Sequence, residues 1–337
     1  MNWRTLGRAL ALSLVSFVAL ADAPAALDTT TPRIAINQEA SDTATRLELL
    51  QHELLSQQQE LMYSTLLRQY DDRMHIRRSL FPSGQALVPA YVFSPRPLDD
   101  ARKYPGLVLV HGGFHGRLEW RWFDLIDRAV REGYVVIFPE YRGSSGYGDV
   151  HYRNEYGVTD VADVLASADY LVKSSPHVDA ERLGIFGHSR GGLVTLLAIE
   201  KAPRRFKAAV DVAGLADMVA FMAYKPDFRR LEMASQPHFG GKLPAEDLKP
   251  YMEISPLNHV DLIETPLFVA ATTGDKVVPL PLHTGRLIDA LAARGKTFES
   301  KIYEQAPGDH VFLFGDSDER RDLLDRTFAF LRKYLQP

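Results

Sequence analysis

Ser189 stands in the run Gly187-His188-Ser189-Arg190-Gly191-Gly192, between a short apolar stretch (Leu183, Ile185, Phe186) and a periodic segment over residues 193–199. Strand, sharp turn and helix in that order put a hydroxyl at the tip of a strained turn, with glycines where a Cβ would strike the neighbouring strand or helix. The free N–H groups and positive dipole end of the following helix then face the space beside that hydroxyl. Such a hydroxyl is placed to be a nucleophile. It attacks a carbonyl only if a base removes its proton, and an imidazole, titrating near neutral pH, takes that proton and later returns it to the leaving group. Among 11 histidines, His310 has the position for this role: it follows the run 298–303, lies in the loop Pro307-Gly308-Asp309 and precedes the last helical segment. Asp275, just after the apolar run 267–271 in Thr273-Gly274-Asp275-Lys276-Val277-Val278-Pro279, is the acid expected to orient the imidazole. Asp211, Asp217 and Asp309 are its rivals.

Two donors are also needed for the negative oxygen of a tetrahedral intermediate, each worth about 3 to 4 kcal/mol. The backbone N–H of Arg190 is one. His111-Gly112-Gly113-Phe114, directly after the apolar run 107–110, supplies the other, from Gly113 or else Phe114. Phe114, His115, Arg142 and Tyr147 are the candidates for substrate contact, although Arg142 reads more simply as a buried arginine tying loops together. The absence of cysteine excludes thiol catalysis, disulfides and cysteine-ligated metals. Histidines and carboxylates form no recognised metal-binding motif, so neither a metal nor a cofactor is expected.

Bringing these groups to one rim requires a particular scaffold. Residues 107–110, 134–138, 183–186, 208–212, 267–271 and 298–303 read as buried strands, alternating with helical segments at 123–130, 161–172, 193–199, 282–293 and 321–334. The expected fold class is α/β, a mainly parallel sheet with helices on both faces, whose ligands bind beyond the carboxyl ends of the strands. Residues 74–81 and 87–93 read as paired strands joined by a turn at Pro82-Ser83-Gly84. The order Ser, Asp, His along the chain is that of the α/β-hydrolases. Residues 215–261 break the alternation, are rich in Met and aromatic residues, and read as a helical, lid-like insertion.

With 337 residues, 46% of them hydrophobic, the chain can bury a sizeable core. Its formal net charge of -4 gives no basic field for nucleic acid. Arg4 and Arg8 precede an apolar run over residues 9–20, and Ala19-Leu20-Ala21 offers a cleavage site. Residues 1–21 are therefore expected to be a signal peptide cut after Ala21, leaving a periplasmic or secreted protein without a stable membrane span; an uncleaved anchor is the alternative. Residues 22–72 read as a linker and an amphipathic helix, on which Leu47, Leu50, Leu54 and Leu61, then Leu66 and Leu67, recur near the helical period. That helix is expected to pack on a catalytic domain spanning 73–337. A dimerisation arm, giving a homodimer, or a cover over the entrance are its other readings.

His111-Gly112-Gly113, Glu140-Tyr141-Arg142-Gly143-Ser144-Ser145-Gly146-Tyr147-Gly148, the Ser189 turn, Ser255-Pro256-Leu257 and the Asp275 loop together resemble the catalytic domain of prolyl oligopeptidase family serine peptidases, most of all the acylaminoacyl-peptidase-like branch. The resemblance covers roughly residues 74–335 and implies Ser189, Asp275 and His310 as a triad, with backbone donors at Gly113 and Arg190. The family's usual β-propeller has no counterpart in the fifty or so residues ahead of the domain, too few for its several repeats of some forty residues. Phe114 stands where the family commonly has proline, and Asp309 where most relatives have a small residue. The expectation is an exported serine hydrolase acting on a peptide or small-molecule substrate through an acyl-enzyme. A carboxylesterase is the close alternative, and a non-catalytic binding protein on the same fold the alternative from another class.

Overall fold

The computed structural model describes residues 43–337, so the expected signal peptide and most of the linker lie outside the described residues. Eight strands form one sheet in the order β1-β2-β4-β3-β5-β6-β7-β8. β1 (Met74–Ser83) and β2 (Ala86–Pro95) are antiparallel, and β2 also runs antiparallel to β4 (Val135–Pro139). From β4 onward, β3 (Tyr104–Val110), β5 (Val178–His188), β6 (Ala208–Val212), β7 (Leu267–Thr272) and β8 (Phe298–Tyr303) are parallel. This is the expected α/β-hydrolase arrangement. The first hairpin differs in detail: Pro82 and Ser83 pair with Leu87 and Ala86, so the turn is Gly84-Gln85. A proline is tolerated there because β1 is an edge strand.

The central strands are apolar on both faces because both are covered. Along β3, Val108 and Val110 point into one core while Leu107 and Leu109 point into the other, as the two-residue period of a strand dictates. Helices Thr159–Ser174, Arg190–Lys201 and Thr284–Ala293 cover the first face through Leu171, Leu196 and Leu287. Helices Phe123–Arg131 and Asp318–Leu335 cover the second through Ile126 and Phe328.

Helix Thr43–Tyr70 packs differently from the sequence expectation. Leu47, Leu50, Leu54 and Leu61 are exposed, whereas Leu66, Tyr70 and the polar Glu53 and Gln59 are buried. The buried face is fixed by what it meets: Gln59 packs on Gly146, Arg117 donates to Gln58 Oε1 at 2.8 Å, and Arg78 pairs with Glu60. Gln58 and Gln59 thus meet loops at Arg117 and Gly146, whereas Glu60 meets strand β1 at Arg78.

Residues 215–261 carry short helices, Met218–Tyr224, Asp227–Ala234 and Lys249–Glu253. Phe221, Met222, Met233, Phe239 and Tyr251 are buried beneath them, while Phe228 and Leu231 face water. Ser255 staples the two ends, accepting from Met218 N at 2.8 Å and donating to Tyr251 O at 2.7 Å.

Candidate active site

Four connections at the carboxyl ends of the parallel strands meet at one place: those after β3, β5, β7 and β8. Ser189 follows β5 immediately and holds φ 59° and ψ -122°, a strained backbone for a residue with a side chain. The surroundings enforce it. A Cβ on Gly187 would lie 2.0 Å from Gly191 O, and one on Gly191 would lie 2.1 Å from Val110 O, so strand, turn and helix close upon each other only with glycine at both positions.

His310 sits in a 3₁₀ turn, Asp309–Phe314, after β8. With its proton on Nδ1 it donates to Asp275 Oδ2 at 2.7 Å, and its Nε2 accepts from the Ser189 hydroxyl at 2.8 Å. Asp275 is itself held, Oδ1 accepting from Val277 N and Val278 N at 2.8 Å each. Asp275, and none of its rivals, makes the hydrogen bond to His310 among the described residues. Asp211 lies against Gly192 and Gly214, and burial pushes its carboxyl up to about 7. Asp217 caps helix Met218–Tyr224 by accepting from Ala220 N, and Asp309 is exposed.

His188, the residue before the serine, ties two of these connections together, a link that its place in the motif does not reveal. Its Nε2 donates to the His310 carbonyl at 2.9 Å, tying the strand before the serine to the loop of the histidine. Burial, and then the nearness of His310, lowers its pKa to about 3, so it remains a neutral donor.

The loop after β3 is braced by the Tyr-Arg-Gly stretch. Tyr141 donates to His111 O at 2.7 Å, and the His111 ring stacks on Tyr141 with centroids 4.2 Å apart. Burial lowers His111 to about 3 and raises Glu140 to about 8, so these neighbours face each other as neutral groups at neutral pH. Glu140 also accepts from Leu118 N at 2.7 Å.

The side chain of Arg190 reaches the same loop. Its guanidinium pairs with buried Asp160 at 2.7 Å, donates to the carbonyls of Gly113 and Phe114, and lies 3.9 Å from the centroid of the Tyr156 ring. The backbone N–H of Arg190, first in its helix, and the Gly113 loop are thereby fixed relative to one another. Only the backbone of Arg190 stood out in the sequence, because Asp160 and Tyr156 are distant along the chain.

A cavity of about 350 Å³ opens at Ser189 and His310, within the usual size of small-ligand sites. Phe114, Tyr156, Leu193, Met218, Phe221 and Val278 give it a largely apolar wall. Of the residues expected to contact substrate, Phe114 is on that wall, whereas His115, Arg142 and Tyr147 are placed apart from it. His115 faces two acceptors, Gly143 O from Nδ1 (2.7 Å) and Glu232 Oε1 from Nε2 (3.3 Å), and so joins the loop to helix Asp227–Ala234 of the insertion. Arg142 is committed to Asp163 through Nε and Nη2 at 3.0 and 2.7 Å, the loop-tying role. Tyr147 packs edge-on against the His151 ring, with centroids 5.2 Å apart.

Known proteins share the fold that carries this site. A profile of the prolyl oligopeptidase family matches residues 122–337, more than half of the chain. The chain belongs to the prolyl oligopeptidase family. An uncharacterised peptidase of Bacillus subtilis is 29% identical over 64% of this chain and 32% of its own length. The acylamino-acid-releasing enzyme of Arabidopsis thaliana is 29% identical over 56% of this chain and 26% of its own. The chain thus spans between about a quarter and a third of the curated relatives it matches. Among solved structures, an acylaminoacyl peptidase in complex with a chloromethyl ketone superposes with a TM-score of 0.69 at 23% identity, over 81% of this chain and 44% of that one. A puromycin-hydrolysing peptidase of Mycobacterium tuberculosis gives a TM-score of 0.65 at 30% identity, over 78% and 39%. The family's α/β-hydrolase fold is the one described above.

Proposed function

We propose that this chain is an exported serine peptidase that cleaves a peptide or amide bond through an acyl-enzyme on Ser189. The observation that carries the reading is the hydrogen-bonded line from Ser189 Oγ through His310 to Asp275, at 2.8 and 2.7 Å. In the first half-reaction His310 Nε2 takes the hydroxyl proton as Oγ bonds to the carbonyl carbon, and the carbonyl electrons move onto oxygen. That oxygen faces the N–H groups of Gly113 and Arg190, held by the Arg190 side chain. Collapse breaks the C–N bond while His310 gives its proton to the departing amine. Water then repeats the sequence on the ester and frees Ser189. Asp275 holds the ring in place and stabilises the imidazolium. The apolar wall favours an acyl group with an aliphatic or aromatic side chain. The first twenty-one residues, with Arg4, Arg8 and the apolar run after them, support export with cleavage after Ala21.

The test compares aminoacyl anilides with short acyl esters on purified protein beside Ser189→Ala, together with fluorophosphonate labelling. Anilide hydrolysis and labelling, both lost in the variant, are the expected result. Serine-dependent turnover of esters alone would transfer the protein to the carboxylesterases. No labelling and no product would mean a binding protein. Export is tested by the mature N-terminus, expected at Asp22 in the periplasm or medium.

A further inference from the structure

Helix Thr43–Tyr70 and the segment that follows the Gly113 loop leave a groove between them. Leu61, Met62 and Thr65 form one bank and Leu118, Trp120 and Phe123 the other, around a space of about 570 Å³. Two large apolar side chains on these banks stand in water, Trp120 at 79% and Leu61 at 65% exposure. Apolar side chains exposed side by side along a cleft mark a contact surface.

The groove adjoins the candidate active site. Arg117 and Glu119 line both spaces, so the groove and the cavity at Ser189 meet at these two side chains. The helix also sets that junction, because Arg117 Nη2 donates to Gln58 Oε1 at 2.8 Å and Nη1 to Leu55 O at 3.4 Å. A chain that extends from the scissile bond along this wall passes from the cavity onto the banks of the groove. The polar groups along the way, Gln58, Arg117 and Glu119, offer both donors and acceptors, which a peptide backbone satisfies and a hydrocarbon chain does not.

Resting on the serine-peptidase reading, we propose that this groove is a remote subsite for the substrate's own peptide. An apolar residue beyond the scissile bond packs on Leu61, Met62, Trp120 and Phe123, while Gln58, Arg117 and Glu119 meet the backbone. The N-terminal helix is then part of the binding site, and its contribution is to specificity at a distance from the chemistry.

The experiment uses the full chain and a series of peptides with one scissile bond, extended stepwise and ending in either Leu or Ser. At the length that reaches the groove, kcat/KM is expected to favour the Leu peptide by about tenfold, the scale of one apolar contact in a pocket. Trp120→Ala and Leu61→Ser should each erase that preference by raising KM, while a short anilide is turned over as by the wild type. Both side chains are mostly in water, so these substitutions leave the core intact. Titration of Ser189→Ala protein with the same peptides should show the same Leu preference in binding. Equal turnover of Leu and Ser peptides at every length overturns the proposal. So does a preference that survives both substitutions, or one that follows acyl length in an ester series and ignores peptide extension. In all three cases the short anilide is still cleaved, so the peptidase reading stands. A wild-type protein that cleaves no peptide and takes no fluorophosphonate removes both readings together.

Discussion

The Arg190 guanidinium meets Asp160 Oδ2 at 2.7 Å while the same side chain donates to the carbonyls of Gly113 and Phe114. One buried ion pair thereby sets the separation of the two backbone N–H groups proposed to receive the oxyanion. Removing either charge alone leaves the other buried and unpaired, at a cost of about 3 to 5 kcal/mol in stability. The double change Arg190→Met with Asp160→Asn removes the charges together and should fold. Its kcat is expected to fall by about 100-fold with KM little changed, since a misplacement of an ångström at a reacting centre costs that much. Steady-state kinetics on an anilide, beside a thermal melt, separates the two effects. A folded double variant with the wild-type kcat would leave the pair a purely structural role.

Asp275→Asn tests the orienting acid. The amide keeps the shape of the carboxylate but offers an N–H where His310 Nδ1–H needs an acceptor, favouring the wrong tautomer. A loss of about 10⁴-fold in kcat is expected, with an unchanged circular dichroism spectrum. Asp309→Asn and Asp217→Asn should each keep most of the activity, because the first side chain is exposed and the second caps a helix. Activity that survives Asp275→Asn and disappears in either of the others would reassign the acid.

The parts of this molecule that were legible in sequence are those whose causes are local. Buried parallel strands such as β3 and β7 appear as short continuous apolar runs, and the order of Ser189, Asp275 and His310 follows from which strand each terminates. Side-chain direction is not local. His115 adjoins motif residues, yet its side chain turns to Glu232, a partner that only the folded loops bring near; Arg142, by contrast, takes the loop-tying role its sequence suggests, with Asp163 as partner. The N-terminal helix packs on the domain as expected, but the face it buries is hidden in the sequence for the same reason. Its leucines stand out by period, but the buried face carries Gln59, which is accommodated because Gly146 leaves room for it.

Gly191→Ala probes the closure of the turn at Ser189. Its new methyl would stand 2.1 Å from Val110 O and 2.7 Å from His111 O, backbone atoms that cannot rotate away. The end of β3 must shift, and the Gly113 loop shifts with it. The expected loss is about 3 kcal/mol or more, at the upper end of overpacking costs. Urea denaturation should register it as a lower midpoint at constant slope, accompanied by weaker fluorophosphonate labelling. An alanine protein as stable and as reactive as the wild type would mean that strand and helix are not as closely applied as described.

Glu200 gives the chain a pH-dependent weakness remote from the active site. It lies in the last turn of helix Arg190–Lys201, is buried, and its Oε1 finds no hydrogen-bond partner among the described residues. Burial pushes its pKa from 4.5 up to about 9, and the negative end of the helix dipole adds to the penalty on its charged form. A group whose pKa is raised on folding binds its proton more tightly in the folded state. Its contribution is therefore complete below 4.5 and declines as pH rises towards about 9. Glu200→Gln, which has no proton to lose, should match the wild type in melting temperature at pH 4 and exceed it increasingly between pH 6 and 9. Parallel melting curves for the two proteins across that range would show that Glu200 ionises in the folded state as readily as in water.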